Sequence, residues 1–250
     1  MKTRGSALKA LTILEVMSKG TAYFGINQLC DATELSQGTV HRILGELVEA
    51  NYIEKHTGIR KYRIGTEALS LASRLMGSAN LIADSKADLE RLRDSCLETV
   101  HLFGLTGTEV IYLSKVQTKH PIGLLSTVGK TAPVYCTSGG KAIAAYMPQE
   151  WVDWYLQTVT LERCTDYTIT SREAFVEELG RIRDKGYALD NAEHHDNITC
   201  IGAPVLDRNG RPVASISVAA PRARLSLEGA IALAPEVMTC ARQVAAKLTV

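Results

Sequence analysis

At 250 residues, 46% hydrophobic and 22% charged, the chain has the length of two domains and a composition that excludes a disordered or fibrous protein. No apolar run approaches the ~18 to 20 residues that cross a bilayer, and Lys9 and Glu15 interrupt the apolar groups behind the basic start Met1-Lys2-Thr3-Arg4, so the sequence predicts neither a membrane protein nor an exported one. The net charge of +1 hides an asymmetry: residues 1–78 carry ten Lys/Arg against seven Asp/Glu, the rest eighteen against twenty, a mildly basic head on a mildly acidic body.

Residues 6–19 read as a helix capped by Ser6, with Ala7, Ala10, Leu11, Leu14 and Met17 at spacings of three and four. A second helix over 27–33 is expected to be capped by Asn27. Glu34-Leu35 turns, and Ser36 caps a third helix carrying Val40, Ile43, Leu44, Leu47 and Val48. The period then changes. Residues 52–56 and 60–64 alternate around Thr57-Gly58, which predicts a short hairpin closed by Gly65. Three helices and a hairpin, the second and third helices joined tightly, spell a winged helix-turn-helix over 1–65.

A linker helix follows (66–76), then a joint at Gly77-Ser78-Ala79-Asn80, so the linker is assigned to 66–80 and a second domain to 81–250. That domain opens with a helix over 81–95. Strands are expected at 99–105, 109–116, 123–127, 200–206 and 213–219, and helices at 138–147, 149–157, 171–185 and 228–247. Hairpin-like turns at Thr106-Gly107 and Arg208-Asn209-Gly210-Arg211 make the sheet mostly antiparallel, an α+β sensor-like domain. The six cysteines stand singly with no Cys-x-x-Cys, which argues against a zinc ribbon and for a reducing, cytoplasmic setting. Nucleophile-elbow, P-loop, His-Glu-x-x-His and Gly-x-Gly-x-x-Gly motifs are all absent, so no enzyme is expected.

The segments Ser6-Ala7-Leu8-Lys9-Ala10-Leu11, Ile13-Leu14-Glu15, Ser36-Gln37-Gly38-Thr39-Val40-His41-Arg42-Ile43-Leu44 and Glu98-Thr99-Val100-His101-Leu102 carry a family likeness. So do Val128-Gly129, Pro133, Gly140-Lys141-Ala142, Gly186-Tyr187-Ala188, Asp190, Cys200-Ile201-Gly202-Ala203-Pro204-Val205 and Ala214-Ser215-Ile216-Ser217-Val218. In their order and spacing, the chain resembles the IclR-type bacterial transcriptional regulators from end to end. The resemblance implies an N-terminal winged helix, a linker helix, and a C-terminal GAF-like domain that binds a small effector. It departs at Gln37-Gly38-Thr39, where the family's recognition helix usually has Lys-Ser-Thr. The likeness is to the sugar-acid branch, regulators answering to 2-keto-3-deoxygluconate, in which repressors are the commoner polarity.

For DNA, the candidates are Ser36, Gln37, Thr39, His41 and Arg42 on the first turns of the third helix, Lys55, Arg60 and Lys61 around the hairpin turn, and Arg4 beside the first helix. Gln suits adenine N6/N7, and Arg suits guanine O6/N7 or a phosphate. A single winged helix makes too few contacts for specific affinity, so a homodimer on operator DNA is expected, paired through the apolar first and linker helices, and the resemblance implies a homotetramer (a dimer of dimers).

For the effector, the resemblance implies Leu124, Ser138, Gly139, Asp190, Cys200, Ser217 and Ala219, which would hold a small carboxylate. Ser138-Gly139-Gly140 opens a helix, whose N–H groups favour an anion. Cys200 also reads as a buried strand cysteine, and Asp190 as a turn residue. His101 reads as an interior or pocket-edge histidine and Lys141 as a surface or helix-capping cation. The adjacent His194 and His195 would point to opposite faces of an extended strand, but the resemblance places them in a loop beside the pocket, where either could touch effector. No metal or other cofactor is expected. Three rival readings stay open: a metal or redox sensor using Cys200 with His194 and His195, an activator answering to an aromatic acid, and a sensor domain that transforms its ligand. The 6% aromatic content argues against a ring-stacking pocket.

Overall fold

The computed structural model describes residues 5–19, 23–56, 58–75, 79–121 and 123–248. Arg4, Thr57 and the Gly77-Ser78 part of the expected joint lie outside them. The chain divides into two compact units, Met1–Ala79 and Asn80–Val250.

The first unit runs α1 (Ser6–Lys19), α2 (Ile26–Thr33), α3 (Gln37–Glu49), β1 (Ile53–His56), β2 (Lys61–Ile64) and α4 (Thr66–Leu75). The apolar faces of its first three helices close on one core of Ile13, Met17, Leu29, Val40, Ile43 and Leu44, sealed by Ile53 and Tyr62 from the hairpin. Each such side chain contributes about 1.5–3 kcal/mol by leaving water. Two caps differ from expectation. Gly25, not Asn27, caps α2, and its N–H donates to Gln28 Oε1 at 2.9 Å. Ser6 lies inside α1, and its hydroxyl accepts from Arg42 Nη2 at 3.0 Å. The α2–α3 turn is made by Glu34 in the left-handed region (φ 58°), its N–H donating to Cys30 O. At Gly65 a Cβ would stand 2.3 Å from the Asn51 carbonyl, so only glycine lets the hairpin pass there into α4.

The second unit runs α5 (Ala79–Cys96), β3 (Thr99–Thr106), β4 (Glu109–Val116), β5 (Thr131–Pro133), α6 (Ser138–Ala144), α7 (Gln149–Thr158), α8 (Arg172–Lys185), β6 (Ala188–Asn191), β7 (Ile198–Leu206), β8 (Pro212–Pro221), α9 (Leu227–Ala232) and α10 (Ala234–Ala246). Its six strands form one sheet in the order β5-β4-β3-β8-β7-β6, with every pairing antiparallel. Alternation divides the faces. Val100, Leu102, Ile201, Ala203, Ile216 and Val218 pack one face against Leu89 and Leu92 of α5 and Val237, Ala241 and Val244 of α10. The other face carries α6, with a second core of Phe103, Val134, Tyr155, Phe175 and Leu179 beside it.

Four expectations are corrected. Residues 123–127 are not a strand: their carbonyls bond to a side chain, with Lys115 Nζ donating to Leu124 O at 2.6 Å and Ser126 O at 2.9 Å. The sheet instead gains β5 and β6, of three and four residues, too short to show alternation. The helix over 228–247 breaks at Leu233, because Pro235 has no N–H with which to continue α9. The helix expected to reach 147 ends at Ala144, and the expected joint residues Ala79 and Asn80 open α5.

Candidate functional site

Strand register assembles the site. Asp190, Cys200 and Ala219 lie side by side across β6, β7 and β8, in a row that continues to Thr99 on β3. The next row is Gly202, Ser217, His101 and Lys115. These residues share the face opposite α5 and α10. The bare Gly202 is what lets α6 approach, since a Cβ there would lie 2.9 Å from the backbone of Ser138.

Between this face, the first turn of α6, the 123–130 loop and the 192–197 turn lies a cavity of about 510 Å³. Six of the seven residues implied by resemblance line it: Leu124, Ser138, Asp190, Cys200, Ser217 and Ala219. Gly139 does not. It sits behind the wall, where its carbonyl accepts from Ser215 Oγ at 2.9 Å and a Cβ would strike Phe103 at 2.5 Å. The cavity also takes in His101, Phe103, Tyr112, Ser126, Thr127, Lys130, Thr137, His194 and His195. Phe103 and Tyr112 escaped the sequence reading, although their alternation with His101 along β3 and β4 was a usable signal.

The rings form a wall. His101, Phe103 and Tyr112 have centroids 4.5 to 5.6 Å apart, and His194 and His195 lie 4.1 Å apart with their rings tilted by 39°. A low aromatic total therefore says little about this pocket, because its few rings are gathered there. His194 and His195 both face the cavity, because residues 192–197 form a turn rather than a strand, entered through Ala192 in the left-handed region (φ 61°). His101 Nε2 bonds to Ser126 Oγ at 2.7 Å, while its Nδ1 is buried without a partner. Burial, then the Lys115 charge, pushes the His101 imidazole down to about 3, and burial followed by His195 takes His194 down to about 4, so both rings are neutral near pH 7.

Asp190 has a structural duty. Its Oδ1 accepts from the N–H of Glu193 (2.7 Å) and of His194 (3.3 Å), which pins the turn. Burial raises its carboxyl to about 6 against the pull of Lys141. Lys141 is no surface cation: it is fully buried on α6, and its Nζ lies 2.5 Å from Glu193 Oε1. Burial raises the Glu193 carboxyl to about 7, again opposed by Lys141. Burial pushes the Cys200 thiol well above its ordinary value, with Asp190 adding to the shift. Among the described residues no group of three or more His, Cys, Asp and Glu could hold a metal ion.

In the first unit Ser36, Gln37, His41 and Arg42 are exposed along the start of α3, with Thr39 half-buried. Lys55, Arg60 and Lys61 are exposed around the hairpin tip. Ser36 holds the N-cap position, but its hydroxyl bonds to Thr39 Oγ1 at 2.9 Å rather than to the backbone. Arg42 is doubly engaged, with Glu46 on its own helix and with Ser6 of α1.

Two family models match the chain. The IclR helix-turn-helix domain matches residues 6–57, and the family described as bacterial transcriptional regulator IclR C-terminal matches residues 73–246. The chain is 29% identical over 243 residues to the HTH-type transcriptional regulator KdgR of Escherichia coli, covering 97% of this chain and 92% of that one. It is 31% identical over 235 residues to the HTH-type transcriptional regulator BhcR of Paracoccus denitrificans, covering 94% and 84%. The crystal structure of the Thermotoga maritima IclR aligns with a TM-score of 0.76 at 27% identity over 98% of this chain and 99% of that one. No described helix is long and apolar enough to cross a membrane. With a helix-turn-helix model over its head and a C-terminal model over most of the remainder, the chain belongs to the IclR family of transcriptional regulators, which bind DNA through the first domain and a small effector through the second and are not enzymes.

Proposed function

We propose that the protein is a cytoplasmic repressor of a catabolic operon, released or retuned by a small carboxylic acid of the sugar-acid type. The cavity on the open sheet face carries this reading. It is large enough for a six-carbon acid, and Thr137 and Ser138 from the start of α6, Ser126 from the 123–130 loop and Ser217 from β8 line it with groups that suit hydroxyls and a carboxylate. Lys130 stands at its exposed edge, where it can draw in an anion. The similarity to KdgR supports the same ligand class.

Residues 1–65 are the operator-reading head, 66–80 the linker and 81–250 the sensor. Gln37, Thr39, His41 and Arg42 meet the major groove with Ser36 at its edge, and Lys55, Arg60 and Lys61 meet phosphates. The chain acts as a homodimer or a pair of dimers. The exposed Leu8 and Leu11 on α1 support an apolar pairing surface there. Effector shifts the population between subunit arrangements that match or mismatch the half-site spacing.

A second reading has its own support. The His101, Phe103 and Tyr112 wall would stack an aromatic acid, which makes an activator answering to a hydroxybenzoate the runner-up. Isothermal titration with sugar acids, keto acids and hydroxybenzoates separates the two. Micromolar binding of a sugar acid that Ser217→Ala weakens about tenfold supports the first reading. Binding of hydroxybenzoates alone overturns it in favour of the second.

A further inference from the structure

We propose that Cys136 and Cys164 form a redox-modification site, a thiol pair that a peroxide converts to a disulfide. The two sulfurs are 4.0 Å apart although 28 residues separate them in sequence. Cys164 is exposed, in the irregular segment between α7 and α8, while Cys136 is buried just before α6. Disulfide sulfurs sit about 2.05 Å apart, so closure asks for roughly 2 Å of movement. A side-chain rotation aided by the irregular segment supplies it.

The pair joins two walls of the cavity. Thr137 and Ser138, which line it, directly follow Cys136. Next to Cys164, Thr165 Oγ1 donates to Ala192 O at 2.6 Å, and Thr168 Oγ1 donates to Glu193 O at 2.6 Å. Those two bonds hold the turn that presents His194 and His195. One covalent bond at Cys136–Cys164 therefore ties the α6 wall to the histidine wall. This consequence rests on the effector reading above, whereas the bond itself does not.

The chemistry balances. The accessible Cys164 thiolate attacks hydrogen peroxide, breaking its O–O bond to give a sulfenic acid and one water. The Cys136 sulfur, giving up its proton, then displaces the sulfenic oxygen as a second water and forms the S–S bond. Two thiols are oxidised and one peroxide is reduced. Burial holds the Cys136 thiol far above its ordinary value, which makes this second step the slow one.

The test treats the full-length chain with hydrogen peroxide, blocks the remaining thiols, and maps tryptic peptides without reductant. The expected result is loss of two of the six free thiols, a linked pair of peptides Thr131–Lys141 and Cys164–Arg172, and reversal by dithiothreitol. Cys164→Ser abolishes the linked pair. Cys136→Ala strands Cys164 as a sulfenic acid that dimedone traps. Should that buried variant fail to fold, the exposed Cys164→Ser still decides. Over-oxidation of Cys164 while Cys136 stays alkylatable overturns the proposal. Hydrogen exchange reads the coupling without any effector: both 137–144 and 192–197 should slow in the disulfide form. A disulfide that leaves both unchanged overturns the coupling of the two walls.

Discussion

Lys141 Nζ lies 2.5 Å from Glu193 Oε1, and the lysine is fully buried on α6 while the glutamate sits between the cavity residues Asp190 and His194. A buried pair of this kind adds little net stability, but removing one partner strands the other. Here one ammonium serves three carboxyls, Glu193 by contact, Glu178 at 3.9 Å and Asp190 through space.

Lys141→Met should therefore destabilise the second unit by about 3–5 kcal/mol at pH 8. The penalty should shrink at pH 5, where the stranded Asp190 and Glu193 can take up protons. Urea denaturation at the two pH values checks this, and an equal penalty at both would show that Lys141 acts through packing alone.

The same carboxyls set a pH dependence in the native chain. Their folded pKa values, about 6 for Asp190 and about 7 for Glu193, lie above the ordinary 3.8 and 4.5. Raised values mean that the folded state holds the proton more tightly, so this stability is complete below pH ~4 and is lost as pH rises through 6 and 7. His101 and His194 act oppositely: their depressed values, about 3 and about 4, give stability present above 6.5 and lost as pH falls. Glu193→Gln should flatten the loss between pH 4.5 and 7, at the cost of stranding Lys141, while leaving the acid-side loss in place. Denaturation curves across that range measure both limbs.

The glycines separate fold from reading head. Gly202→Ala should cost about 1–3 kcal/mol and weaken effector binding, because its methyl would push the α6 backbone off β7. Gly38→Ala should stabilise the head by roughly 0.5–1 kcal/mol, since nothing lies within 4 Å of the added methyl on α3. Thermal unfolding of each variant gives the sign.

The two halves of the site were unequally legible in the sequence. The helix-turn-helix showed itself through local periodicity, because α1, α2 and α3 each bury one stripe of side chains and leave the rest exposed. The pocket depends on register. Asp190, Cys200 and Ala219 become neighbours only once β6, β7 and β8 pair, and β6 is too short to announce itself. Family likeness reached six lining residues but misjudged Gly139, which serves close packing, and the sequence took the buried Lys141 for a surface cation. A lysine on a short helix carries no mark of burial; the acid that satisfies it stands 52 residues further along.

On DNA, charge and recognition should come apart. Alanine at Lys55, Arg60 or Lys61 should weaken binding to all sequences alike and lower the salt slope by about 0.9 for each phosphate no longer neutralised. Gln37→Ala should instead relax sequence preference by about 1–3 kcal/mol with the slope unchanged. Arg42→Ala should also cost head stability, because its guanidinium ties α3 to Ser6 of α1. Anisotropy titrations at several salt concentrations distinguish these outcomes.

The most direct measurement is fluorescence anisotropy of the protein on DNA upstream of its own gene, titrated with and without each of a panel of sugar acids and keto acids. Submicromolar, salt-sensitive binding that one acid shifts tenfold or more, about 1.4 kcal/mol of coupling, is the predicted result. Tight DNA binding indifferent to every acid would contradict the effector assignment, and no preference for that DNA over random sequence would contradict sequence-specific binding at that site as well.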